Sequence, residues 1–171
     1  DIPLILQDHA LSDISLTVSD LVGLAGRFEH LAYIKLESGN IIHKARALLA
    51  ASEGQLAGVF GGNSGIFLPE EVEAGCCGTM PACYMPEVFR KTWDLLESGD
   101  MEAAHSWFLP FSRLAAYEKE VANRCVWKAL LVERGIIASG AVREPVPAFA
   151  DDWQREQLLR VAHRAGLFEQ Y

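Results

Sequence analysis

The feature that most constrains the fold of this chain is the alternation of short apolar segments with amphipathic segments through its first two-thirds. The spacing of apolar residues and the length of the apolar segments predict strands at residues 3–7, 30–37, 56–61 and 76–84. Apolar residues at helical spacing predict helices at residues 15–28, 41–51, 68–74 and 86–96. Strands joined by single helices imply parallel β-α-β units with right-handed crossovers. The first strand is nearly continuously apolar, which is typical of a sheet covered on both faces.

The last third of the chain has no strand pattern. Its periodicity predicts helices at residues 101–117 or beyond, 121–134 and 152–165, separated by glycines and a proline-rich segment at 145–147. The strand-containing part fits two architectures, a small doubly wound sheet or part of a (β/α)8 barrel. Because a complete barrel takes about 250 residues, this chain of 171 residues can hold only half of one.

Composition argues against several classes of partner. Half of the residues are apolar and 22% are charged, as in a chain that builds its own core. The formal net charge of −8 and the scattered Lys and Arg argue against a nucleic-acid partner. No apolar stretch approaches the ~20 residues that a bilayer requires. We therefore predict no nucleic-acid partner, no membrane partner and a cytoplasmic location.

The four cysteines do not form a metal-site pattern. Cys76 and Cys77 are adjacent, while Cys83 and Cys125 complete no C-x-x-C pair. Structural zinc sites use closely spaced pairs of cysteine or histidine. We predict that the chain binds no metal and that its cysteines are buried free thiols.

The second predicted strand carries the most informative side chain. Alternation along a strand puts Tyr33, Lys35 and Glu37 on one face and Ile34 and Leu36 on the other. A lysine on the inner face of a parallel sheet loses hydration, which favours the neutral amine that can attack a carbonyl. Spacing alone leaves two interpretations of Lys35 open, a nucleophile or a strand-end lysine paired with Glu37 or with solvent.

Polar and glycine-rich segments follow the other predicted strands. The turn at residues 60–65 (FGGNSG) exposes backbone N–H groups suited to a carboxylate or phosphate, although an ordinary tight turn explains it equally. Residues 78–81 (GTMP) and 7–9 (QDH) lie at the same rim. Asp8 and His9 resemble part of a catalytic pair, but adjacent residues of a strand face opposite ways.

The order of these segments resembles the dihydrodipicolinate synthase / N-acetylneuraminate lyase family. The resemblance rests on the segments PLILQD (3–8), YIKLE (33–37), GVFGG (58–62) and GCCGTM (75–80). Residues 127–130, 135–137 and 145–147 resemble the helical region that ends the family's chains. The resemblance implies an α/β fold, with strands five to eight of a (β/α)8 TIM barrel in residues 1–100 and a C-terminal helical region in residues 101–171.

The resemblance also implies a chemistry. Lys35 matches the lysine that forms a covalent imine with pyruvate or another 2-oxo acid, so no separate cofactor is expected. The positions that match or lie beside the family's substrate site are Gln7, Glu37, Gly61, Gly62, Thr79 and Met80. The family's carboxylate-binding hydroxyl pair and catalytic tyrosine correspond to segments upstream of Asp1. The family often has tyrosine or asparagine where this chain has Gln7-Asp8, and acidic residues where it has Gly62-Asn63. These differences indicate a divergent branch with a different substrate.

Three functions follow from these patterns. The first is a Schiff-base lyase or dehydratase acting on a 2-oxo acid. The second is a non-catalytic descendant of the same fold that binds a keto acid or serves as a scaffold. The third, a small nucleotide- or phospho-binding domain, depends only on the glycine-rich turn.

An isolated half-barrel would expose its inner face and two strand edges. We therefore predict that an N-terminal half-barrel, in the same chain or another, completes this one. We also predict a homo-oligomer, either a dimer or a tetramer.

Overall fold

Four parallel strands form one sheet in the order in which they occur along the chain. They are β1 (Leu4–His9), β2 (Leu31–Glu37), β3 (Gly58–Gly61) and β4 (Gly78–Thr79). The computed structural model describes residues 2–9, 16–121, 124–146, 148–149 and 151–169. A doubly wound sheet reverses its strand order at a switch point, whereas a barrel keeps it. The sequential order therefore confirms the predicted half-barrel and excludes the doubly wound alternative.

Three helices connect these strands and cover one face of the sheet. They are α1 (Val18–Arg27), α2 (Ile41–Ala51) and α3 (Leu68–Glu73), and a short 3-10 turn at Asn63–Gly65 precedes α3. Ile34 and Leu36 of β2 are fully buried in the core that includes α1 and α2. Tyr33, Lys35 and Glu37 alternate with them, so they lie on the opposite, inner face, as the spacing predicts.

Local sequence explains where the first two helices begin. The Thr17 hydroxyl accepts a hydrogen bond from the Asp20 N–H, and the Asp20 carboxylate accepts one from the Thr17 N–H, which forms a capping box before α1. The Asn40 side chain accepts from the His43 N–H at the start of α2. The predicted first turn of α1, from residue 15, lies partly outside the described residues. The bounds of α2 agree with the prediction.

Two predictions about the strands are wrong. The fourth strand, predicted at residues 76–84, has only two residues: the Met80 N–H bonds to Gly61 O at 3.1 Å, and Pro81 has no N–H with which to extend the ladder. The first strand is not covered on both faces, because Leu4 and Ile5 are 54% and 48% exposed. Its apolar character therefore reflects surface that the described residues leave uncovered.

Contacts divide the chain into two compact units, Asp1–Pro81 and Ala82–Tyr171. The second unit contains α4 (Pro86–Glu97), α5 (Met101–Val121), α6 (Arg124–Glu133) and α7 (Asp152–Arg164), and no strand among its described residues. Its core is aromatic and aliphatic, with Tyr84, Phe108, Phe111, Leu114, Leu130 and Leu158 fully buried. The domain boundary at residues 100 and 101 remains a prediction from sequence pattern, and Pro147 of the 145–147 segment lies outside the described residues.

The cysteine prediction is half right. Cys76 and Cys125 are buried, whereas Cys77 and Cys83 are exposed. Among the described residues, no group of three or more His, Cys, Asp or Glu side chains is arranged to hold a metal ion. Over the same residues, no helix combines the length and the hydropathy needed to cross a bilayer.

Candidate active site at the carboxyl ends of the strands

The first two strands place three of the predicted site residues side by side. In the β1–β2 register Gln7 is opposite Lys35 and His9 is opposite Glu37, so all four side chains project from the inner face near the carboxyl ends of the strands. Lys35 Nζ lies 3.2 Å from Glu37 Oε2, and the two side chains are only 16% and 12% exposed. The pairing of Lys35 with Glu37 is therefore present, whatever further role the lysine has.

Glu37 is the centre of this cluster. Its Oε2 accepts a hydrogen bond from the Gln7 amide and lies 3.7 Å from His9 Nε2, while its Oε1 accepts from the Asn63 N–H at 3.1 Å. Burial raises the pKa of Glu37, but the Asn63 N–H, the Gln7 amide and the Lys35 ammonium together outweigh burial and hold the pKa below its usual value. Glu37 is therefore an anion that several donors fix in place.

Aromatic rings border the amine on the inner face. Phe60 of β3 is opposite Lys35 in the β2–β3 register, and its ring centroid lies 5.5 Å from that of Tyr33. The neighbours of Lys35 on the inner face thus include one carboxylate and two aromatic residues.

Gly61, the last residue of β3, and Gly62, which follows it, allow two carboxyl groups to approach the backbone. A Cβ at Gly62 would lie 2.7 Å from Glu37 Oε1, and a Cβ at Gly61 would overlap the carboxyl group of Glu71. The Gly61–Gly62 turn is therefore glycine-rich because Glu37 packs on one side and Glu71 on the other. Asn63 and Ser64 follow with φ of 52° and 61°, so the backbone is left-handed there.

Glu71 is a buried acid that the sequence pattern did not reveal. Its side chain comes from α3, and neither carboxyl oxygen has a well-formed hydrogen bond within the described part of the chain. Burial raises the pKa of Glu71 to about 7, an effect that Glu70 adds to and that the nearby Thr79 hydroxyl and Gly62 N–H partly counteract. Two features of the sequence point to its burial. Glu71 lies three residues after buried Leu68, on the same face of α3, and a glycine pair, Gly61-Gly62, precedes that helix.

Thr79 lies away from the amine, and Met80 follows it just after the end of β4. Thr79 is opposite Gly61 in the β3–β4 register, so its side chain lies on the same side of the sheet as Glu71 and not on the face of Lys35. The Met80 N–H already donates to Gly61 O. The structure therefore brings Gln7 and Glu37 to Lys35, places Gly62 against Glu37, and places Gly61 and Thr79 against Glu71.

A second polar cluster occupies the other face of β1. Lys44 Nζ lies 2.6 Å from Asp8 Oδ2, donates to Leu16 O at 2.7 Å and lies 3.2 Å from Ser38 Oγ. Asp8 is 2% exposed and also accepts from the Ser38 hydroxyl. Asp8 and His9 accordingly face opposite sides and form no dyad. Sequence spacing could not reveal this cluster, since its members are far apart in the chain.

Comparison with known proteins agrees with this architecture. The sequence is 29% identical over 163 residues to L-2-keto-3-deoxyarabonate dehydratase from Azospirillum brasilense. The matched residues cover 95% of this chain and 52% of that enzyme. The chain thus spans about half the length of the curated relative that it matches. No family model matches the sequence.

Solved structures give the same result. Dihydrodipicolinate synthase from Rhodopseudomonas palustris has a TM-score of 0.85 and 26% identity, over 95% of this chain and 55% of that one. Dihydrodipicolinate synthase from Acinetobacter baumannii, complexed with pyruvate, has a TM-score of 0.83 and 24% identity, over 96% and 56%. The predicted resemblance to the C-terminal half of the dihydrodipicolinate synthase family is therefore confirmed in both sequence and fold.

Proposed function

We propose that Lys35 forms an imine with a 2-oxo acid and that the chain is part of a Schiff-base lyase or dehydratase. The observation that carries this proposal is the position of Lys35: a mostly buried amine on the inner face of parallel strands, beside a fixed carboxylate. The likeness to half of a dihydrodipicolinate synthase barrel supports the same proposal. The imine itself serves as the electron sink, so no further cofactor is proposed.

The geometry around Lys35 suits the charge that this chemistry develops. Attack of the amine on the ketone, uptake of one proton from solvent and loss of one water produce a protonated imine, which carries its positive charge on Nζ. The Glu37 carboxylate, 3.2 Å from that atom, stabilises the charge. Its donors, Gln7 and the Asn63 N–H, keep the carboxylate from turning away. The positive imine then accepts the electron pair released when a proton leaves the adjacent carbon.

We propose that the substrate is a 2-keto-3-deoxy sugar acid. The relative from Azospirillum brasilense is by name an L-2-keto-3-deoxyarabonate dehydratase, and such an acid has a CH2 group next to its ketone. Loss of a proton from that carbon and of hydroxide from the next one releases one water and leaves a carbon–carbon double bond conjugated with the imine. The departures from the family pattern at Gln7-Asp8 and Gly62-Asn63 fit a substrate other than that of dihydrodipicolinate synthase.

The whole enzyme needs more surface than the described residues supply. We propose that an N-terminal half-barrel, in the same or another polypeptide, covers the inner face and contributes the remaining substrate contacts. Ile5, which is opposite Tyr33 on the inner face and 48% exposed, supports this. We further propose a homo-oligomer located in the cytoplasm.

Substitution of Lys35 with Arg tests the function, with Lys44→Arg as the matched control. Lys44 is equally buried and equally ion-paired, but on the other face of the sheet. We expect Lys35→Arg in the complete enzyme to abolish water loss from a 2-keto-3-deoxy acid, measured by mass spectrometry, while cooperative unfolding persists. Turnover by folded Lys35→Arg would contradict the proposal.

A non-catalytic keto-acid-binding or scaffold protein is the second candidate. The observation in its favour is that Lys35 is already paired with a carboxylate, as a purely structural lysine would be. Turnover by the unsubstituted protein separates the two, since a non-catalytic protein would show no water loss from a 2-keto-3-deoxy acid before or after Lys35→Arg.

A further inference from the structure

Glu71 is buried at a cost that calls for a structural or functional role. Its side chain is fully buried in α3, and within the described residues neither oxygen makes a well-formed hydrogen bond. The Thr79 hydroxyl oxygen beside it is also buried without such a bond. Buried polar groups left in this state are costly and are rarely retained without a function.

The contact between Glu71 and Gly61 is tight. A Cβ at Gly61 would overlap the Glu71 carboxyl group. Gly61 ends β3, pairs with Thr79, and its carbonyl accepts the Met80 N–H at 3.1 Å. The carboxyl group of Glu71 therefore limits how closely the backbone at Gly61 can approach α3.

The same turn holds Glu37 from the other side. Gly62 follows Gly61 directly and lies against the Glu37 side chain, and the next N–H, that of Asn63, donates to Glu37 Oε1 at 3.1 Å. Glu37 in turn lies 3.2 Å from Lys35 Nζ. An unbroken series of contacts therefore links the buried acid to the amine, through three consecutive backbone positions.

We infer that Glu71 is a positioning residue, which acts through the Gly61–Gly62 turn on the Glu37–Lys35 ion pair. This inference rests on the proposed function of Lys35. Glu71 does not touch the amine, and its effect is to fix the backbone that presents the Asn63 N–H to Glu37. Displacement of the turn would weaken that hydrogen bond and leave the carboxylate beside Lys35 less well fixed.

Ionisation of Glu71 gives the inference a measurable signature. The groups that face its carboxyl are Glu70 on its own helix, the Cys76 thiol before β4, and the Thr79 hydroxyl and Gly62 N–H at the strand ends. None of these is a cation. Loss of the proton therefore puts behind Gly61 a charge that the Thr79 hydroxyl and the Gly62 N–H offset only in part, and burial places that event at a pKa of about 7. We therefore expect the Gly61–Gly62 turn to be fixed most firmly below pH 7, where Glu71 is protonated.

The test uses the full-length enzyme, the variant Glu71→Gln and the control Glu73→Gln. The Glu71→Gln amide would keep the size and the neutral state of the protonated acid, whereas Glu73 is an exposed acid of the same helix. Two rates are measured between pH 6 and pH 8.5: borohydride trapping of pyruvate on Lys35, and hydrogen exchange of the Asn63 amide. Taking each rate relative to the unsubstituted protein cancels the ionisation of Lys35 and the intrinsic pH dependence of exchange.

We expect the trapping ratio of Glu71→Gln to be near one at pH 6 and to rise at least threefold by pH 8.5. The Asn63 exchange ratio should fall at least threefold over the same range, and both ratios should stay flat for Glu73→Gln. A flat exchange ratio for Glu71→Gln would overturn the inference. A flat trapping ratio in a protein that is trapped would also overturn it. Absence of any trapping, with the exchange ratio still falling, would refute the proposed function and leave the structural link between Glu71 and Glu37 standing.

Discussion

Lys35 and Lys44 are buried to nearly the same degree, but their surroundings differ. Lys44 contacts Asp8, Ser38 and a backbone carbonyl on the helix side of the sheet. Lys35 lies on the inner face, where Glu37 accompanies it and where a substrate could reach it. The same ion-pair chemistry therefore serves a structural role at one site and, in our proposal, a reactive role at the other.

Substitution of each lysine with Met should separate these roles by stability. Lys44→Met leaves the 1% exposed Asp8 carboxylate without its cation, and we expect the free energy of unfolding to fall by about 3 kcal/mol. Lys35→Met leaves Glu37 with its Gln7 and Asn63 donors, so a smaller loss of about 1.5 kcal/mol is expected. Urea denaturation measures both values. Equal losses would contradict the different roles assigned to the two lysines.

The pKa of Glu71 predicts a pH dependence of stability. Because the folded pKa, about 7, lies above the ordinary value of 4.5, the folded state binds the extra proton between these values. The free energy of unfolding should therefore fall as pH rises from about 4.5 to about 7, by up to roughly 3 kcal/mol relative to Glu71→Gln, and then level off. Urea titrations at pH 4.5, 6 and 8 test this, with Glu73→Gln as the control. A constant difference between Glu71→Gln and the unsubstituted protein would show that the acid is not strained by burial.

At the scale of elements, the sequence predicted most of the fold because its periodicity is regular. The bounds of α2 were predicted correctly, and β2 was placed to within a residue, since each has one continuous apolar face. The prediction failed at β4, where apolar residues continue beyond the last ladder hydrogen bond and only Pro81 marks the end. An apolar run of this kind does not distinguish a strand from a buried loop.

The candidate site was predictable only where strand alternation governs it. Alternation put Lys35 and Glu37 on one face, and the parallel register brought Gln7 beside them. Glu71 and Lys44 could not be found in this way, because each reaches its site from a helix and meets residues that are distant in sequence. Only the glycine pair hinted at Glu71, and a glycine pair also suits an ordinary turn.

A double-mutant cycle tests the contact between α3 and β3. Gly61→Ala inserts a methyl group where the Glu71 carboxyl lies, and we expect a loss of about 2 kcal/mol in the free energy of unfolding. Glu71→Ala vacates that space, so the double variant Gly61→Ala/Glu71→Ala should regain at least about 1 kcal/mol relative to the sum of the single losses. Gly23→Ala serves as a control, since no atom lies within 4 Å of its added Cβ. Additive losses would mean that the two residues do not compete for the same space.

For the molecule as a whole, the main consequence of a half-barrel architecture is that apolar surface near β1 stays exposed. Leu4, Ile5 and Phe28 are about half exposed and line one apolar groove with Leu6, Leu24 and Leu31, near the amino ends of the strands and away from Lys35. Surface of this kind usually marks an interface. We expect analytical ultracentrifugation to find this 18.8 kDa chain in association with itself or with a complementary half-barrel. A stable, monodisperse monomer would contradict that expectation.

The central claim is that Lys35 is the imine-forming residue, and the most direct measurement is a map of where a 2-oxo acid is trapped. The complete enzyme is incubated with pyruvate and borohydride, digested and analysed by mass spectrometry. We predict one reduced adduct on the peptide that carries Lys35, with none on Lys44 despite its similar burial. An adduct on Lys44 or spread over exposed lysines, or none with any 2-oxo acid tried while the protein stays folded, would contradict the claim.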